Sequence, residues 1–161
     1  MYRWVVFLHI LAAFLFVLMH GASAMVSIRL RKERNLDRVR ALLDLSTAYL
    51  GGTYGALLML LGAGVVAGFL GKWWGQAWIW VSLGVLIALM VAMYVLGTSF
   101  YTRVRKAAGT EYMENYKPHP PVAPAPAELE ALLRSRRPEV LTAVGVVGLA
   151  VLLWLMMFKP F

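Results

Sequence analysis

The chain has 161 residues, 61% of them hydrophobic and 15% charged, with a net charge of +8 and a mean hydropathy of +0.69. That balance is typical of a membrane protein and leaves no room for a large soluble domain. The absence of cysteine excludes a disulfide framework, a Cys-ligated zinc site and an iron–sulfur cluster.

The first apolar stretch runs from Trp4 to Ile28 without an Asp, Glu, Lys or Arg. A bilayer core of ~30 Å needs roughly 20 such residues in a helix. Arg3, the apolar run and Ala22-Ser23-Ala24 together look like a secretory signal. The run is too long for one, however, and the basic cluster behind it would have to be translocated, so the stretch is expected to stay as a span. Its small and polar stripe, Ala12, Ala13, Phe16, Ser23, Ala24 and Ser27, is expected to face protein. Val5, Leu8, Leu11, Leu15, Leu18 and Met25 are expected to face lipid.

A basic segment, Arg29 to Arg40, leads to a second span over about 41–70. That span carries two GxxxG pairs, Gly51 with Gly55 and Gly64 with Gly68, which let helix backbones approach closely. A short turn, Gly71 to Gln76, forces the third span, about 77–101, to run antiparallel. A long polar segment follows over 102–137. Lys117 to Pro126 is too proline-rich for a regular helix or strand and is expected to be extended surface backbone. Ala127 to Arg136 reads as a short helix lying on the membrane surface with Leu129, Leu132 and Leu133 on its apolar side. Pro138 opens the fourth span, about 138–158.

Six Lys and Arg fall in the first loop and seven in the long one, against one each at Arg3, Lys72 and Lys159. These basic residues flank apolar runs, so they read as topology signals and lipid contacts rather than as a nucleic-acid surface. The positive-inside rule puts both basic loops in the cytoplasm and both termini outside. Trp4, Trp73, Trp74, Trp78, Trp80 and Trp154 all fall near the external interface, where an aromatic belt belongs. The fold expected is one all-α domain over 1–161, an antiparallel four-helix membrane bundle with external termini.

Ionisable residues inside a membrane are functional candidates, and here they are His9 and His20. They lie on one face of the first span, ~16 Å apart along the axis, so one metal cannot use both. Counting depth from span midpoints sets His20 level with Gly52, Thr53, Met93 and Gly145. His9 falls level with Gly62 to Gly64, Ser82 and Met156. One reading is haem b on an axial histidine, or copper on His20, with Met93 or the neighbouring Met19 supplying a thioether. The other is hydrogen-bonded histidines at helix contacts. Asp44 reads as a helix cap or a partner for Arg40, with a proton-relay acid as the alternative. No metalloprotease, phosphate-loop or nucleophile-elbow motif occurs, so no catalytic residue is assigned.

The opening FLHILAAFLFVLMHG, the basic RLRKERNLDRVRALLDLS and the run GFLGKWWGQAWIWVSLGVLIALMVAMYVLGTSFYTRVRKA resemble a bacterial family of four-span membrane proteins of unknown function. That family is similar to the copper-resistance protein D group, and the resemblance implies a copper association through His9. Together these features suggest a structural or accessory subunit in the inner membrane of a bacterium. Its partners would be the lipid bilayer and other membrane subunits or further copies of itself, with no nucleic acid. The alternative is a haem b- or copper-binding protein for electron or metal transfer through His9 and His20.

Overall fold

The computed structural model describes residues 1–115 and 117–160. Helix α1 spans Tyr2–Leu30 and α2 spans Leu36–Gly71. Helix α3 (Ala77–Met93) passes through a π-helical turn over Tyr94–Thr98 into α4 (Ser99–Ala108), making one continuous rod. A two-stranded antiparallel ribbon follows, β1 (Tyr112–Glu114) with β2 (Lys117–His119). Helix α5 covers Pro126–Leu133 and α6 covers Arg137–Phe158. Four helical rods are long and apolar enough to cross a membrane, and they form an all-α four-helix bundle. Helices α1 and α2 pack along their length as one hairpin. Helices α3 and α6 form a second, and α1 touches α6 between them.

Local chemistry sets the boundaries. The Asn35 side chain accepts the N–H groups of Asp37 at 3.0 Å and Arg38 at 3.1 Å, which caps α2. Glu33 in the same turn accepts the N–H of Asn35 at 3.0 Å and of Arg34 at 2.9 Å. Those bonds hold its carboxyl below the ordinary carboxylate pKa. Lys72 ends α2 in the left-handed region at φ 56°, a position that glycine more often fills.

The two ends of the bundle differ in kind. At one end, Tyr2 meets Trp73 edge-on, with centroids 5.7 Å apart. The Lys159 ammonium sits 4.3 Å above the Trp73 ring and 5.5 Å from Trp78. Both termini therefore lie at this tryptophan end. At the other end, Leu30, Val39, Leu43, Phe100, Val104, Ala107, Ala108, Leu129, Leu132 and Leu133 form a buried cluster. Length explains why it is needed. Helix α2 has 36 residues, about 54 Å at ~1.5 Å per residue, so it overhangs a ~30 Å bilayer core by roughly 20 Å. A helix of that length is expected to extend past the hydrocarbon, and the buried cluster covers its basic end.

The long polar segment differs from the sequence expectation in two ways. Leu129, Leu132 and Leu133 are buried on the helix ends rather than laid on lipid, because the overhanging α2 and α4 offer apolar surface closer at hand. Lys117 to His119 is a strand despite Pro118, whose register partner is Met113. A two-stranded ribbon is all edge, and an edge tolerates a residue without an N–H. From Pro120 to Ala125 the backbone is irregular, and the Ala125 N–H closes on the Ala107 carbonyl at 2.9 Å. The side chains of α1 sort only in part as its stripe suggests, since Val5 and Leu15, expected on the lipid face, are half-buried. Ala12 and Ser27 are buried, while Leu8, Leu11, Leu18 and Met25 are exposed.

Candidate functional site: two histidines inside the bundle

His9 is committed to a helix contact. Its Nδ1–H donates to the Leu60 carbonyl on α2 at 2.9 Å. A Cβ at Gly64 would lie 2.9 Å from the His9 ring, so glycine at 64 is what lets the imidazole lie flat against α2. The ring thus fastens α1 to α2 at Leu60 and Gly64.

His20 sits differently. Its ring stacks on Phe16 of the same helix at 5.6 Å, with planes 5° apart. Among the described residues it has no hydrogen-bond partner. Its Nε2 points at Gly145 of α6, where an added Cβ would lie 3.2 Å away. The Met93 methyl comes within 3.1 Å of the same point. Helices α1, α3 and α6 therefore converge on one spot, bringing an imidazole and a thioether side chain together across a glycine. Gly52, expected at this level too, faces Met19 instead, whose sulfur would lie 3.2 Å from an added Cβ. Ser82, expected level with His9, is buried and donates to its own helix at the Trp78 carbonyl, 2.8 Å.

A Cβ added at Gly64 would meet the His9 ring and one at Gly68 the Trp74 ring, whereas one at Gly51 or Gly55 would meet nothing within 4 Å. Asp44 pairs at 3.9 Å with Arg105 rather than with Arg40. Arg40 instead donates through Nε to the Ala108 carbonyl at 3.0 Å and pairs with Asp37 at 3.6 Å. Asp44 is three-quarters exposed, so its pair contributes little. Arg105 is the residue that sequence reasoning overlooked. It also bonds the Leu43 carbonyl and the Thr47 hydroxyl and so joins α4 to α2. Its position one turn past Tyr101, at the end of an apolar run, was the available signal.

What the residues can do chemically is limited. Among the described residues no group of three or more His, Asp or Glu side chains converges. The fold and these contacts define a multi-pass four-helix membrane protein. No family model, curated protein or solved structure matches the chain.

Proposed function

We propose that this protein is a small accessory subunit of a bacterial inner-membrane assembly, presenting α2 to a neighbouring transmembrane helix. The open glycine run on α2 carries this reading. An added Cβ at Gly51, Gly55 or Gly62 would meet nothing within 4 Å, and all three are exposed. Gly62 lies seven residues beyond Gly55, about two turns, so the three share a side. Exposed leucine suits lipid and protein alike. A glycine notch, by contrast, lets a second helix backbone approach closely. In this reading the basic end lies in the cytoplasm and both termini outside, by the asymmetry of Lys and Arg between the loops. The test is native mass in mild detergent extracts of the producing cell. The chain should migrate well above its 17.9 kDa, and Gly51→Leu/Gly55→Leu should release it as a folded monomer. A wild-type monomer would sink the proposal.

A second reading rests on His20 and Met93. Imidazole with thioether suits a soft ion such as Cu(I), in keeping with a relationship to the copper-resistance group. Haem b fits less well, because His20 and Met93 themselves fill the gap at Gly145 that a porphyrin face would need. Two donors are fewer than the three or four protein ligands of a resident copper site, which places this reading second. His20→Gln separates the two. The accessory-subunit reading expects unchanged copper and haem content and little loss of stability, because His20 makes no hydrogen bond among the described residues and Gln keeps a polar side chain of similar size. Loss of bound copper or of a Soret band in His20→Gln, with His9→Gln unaffected, would favour the second.

A further inference from the structure

At the basic end, a groove of about 280 Å³ opens between the π-helical turn and the start of α6, lined by Leu96, Ser135, Arg136, Arg137, Val140 and Leu141. We propose that it seats one anionic phospholipid, with the phosphodiester headgroup against Arg136 and Arg137 and an acyl chain along Leu96, Val140 and Leu141.

Three observations support this occupant. The first is charge. Both arginines are exposed, and among the described residues neither has a carboxylate partner. Glu139, the acid nearest in sequence, is taken by Arg31 from the end of α1. Two guanidiniums are therefore left to a ligand of opposite charge. The second is depth. Helix α6 has 22 residues, about 33 Å, which matches the hydrocarbon thickness of ~30 Å. With Trp154 and Phe158 at the far interface, Arg136 and Arg137 fall at headgroup level and Val140 and Leu141 just inside the hydrocarbon. The third is shape. The π-helical turn is a local widening of the rod, and Leu96 on it forms the wall opposite α6. A basic pocket between helices, polar at the headgroup and apolar below, is the form that anionic lipid sites take.

The test is native mass spectrometry of the intact protein in mild detergent with equal amounts of phosphatidylglycerol and phosphatidylcholine bearing the same acyl chains. The wild type should retain one phosphatidylglycerol in preference to phosphatidylcholine. Arg136→Gln/Arg137→Gln should lower that preference about tenfold or more, as expected for removing two basic contacts to a headgroup. Lys32→Gln/Arg38→Gln removes the same charge elsewhere at this end and should leave it unchanged. Val140→Trp, which fills the apolar wall while keeping both arginines, should reduce retention of either lipid. An unchanged preference in the first variant would overturn the proposal. So would an equal loss in the control, which would mean diffuse attraction, or wild-type retention in Val140→Trp.

Discussion

Leu43→Ala should destabilise the basic end by about 2–5 kcal/mol, the range for removing a buried leucine and leaving a cavity. Leu43 is 1% exposed at the centre of the cluster formed by the ends of α1, α2 and α4 with α5. The length of α2 and the flanking basic segments place this part of the chain outside the hydrocarbon in the topology expected here, so water would be the alternative environment for its apolar side chains and the full hydrophobic effect would apply. The failure should be local. Segment 110–125 and α5 should become sensitive to protease while the membrane-spanning helices stay protected. Leu57→Ala provides the contrast. Leu57 is also buried, at 9%, but lies mid-span, where lipid tails are as apolar as leucine and only packing is lost. Its substitution should cost clearly less than that of Leu43. Equal losses would mean that the basic-end cluster is not a water-facing core.

Gly148→Ala should lower stability by about 1–3 kcal/mol through overpacking. Leu89 of α3 lies directly over Gly148 of α6, and its Cγ and both methyls occupy the space that a Cβ would take. Close approach of these two helices depends on that glycine, since the second hairpin has no histidine lock of the kind His9 provides in the first. The added methyl must displace Leu89 or part the helices. Gly148→Ala/Leu89→Ala should recover most of the loss, giving a coupling energy well outside the error of additive sites. Denaturant titration of the four proteins in one detergent measures it. Additive losses in the double variant would remove Leu89 as the cause.

The spans were legible because crossing a bilayer demands an unbroken apolar run, and few other structures use one. The basic-end core was not. Leu129, Leu132 and Leu133 on a short charged helix read equally as a lipid-facing stripe or as one side of a soluble core. What decides between them is how far α2 and α4 project, and the apolar run of α2 conceals a helix that starts at Leu36. The candidate site was legible in height and not in direction. Depth counting set Gly52, Met93 and Gly145 level with His20, but the rotation of α2 turns Gly52 towards Met19, and only Met93 and Gly145 close on the imidazole. The split between His9 and His20 was likewise hidden. They share a face of α1, yet the packing of α1 gives His9 a carbonyl on α2 and turns His20 towards α6.

The most direct test of the account is its placement of the two ends of the bundle on opposite sides of the membrane, with the basic segments inside. The chain has no cysteine, so single substitutions report without background. Gln76→Cys at the tryptophan end, and Lys32→Cys and Glu114→Cys at the basic end, are all at exposed positions. A membrane-impermeant maleimide applied to intact cells should label Gln76→Cys alone, and inverted vesicles should show Lys32→Cys and Glu114→Cys labelled instead. Labelling of Lys32→Cys or Glu114→Cys from outside, or of both ends from the same side, would contradict it.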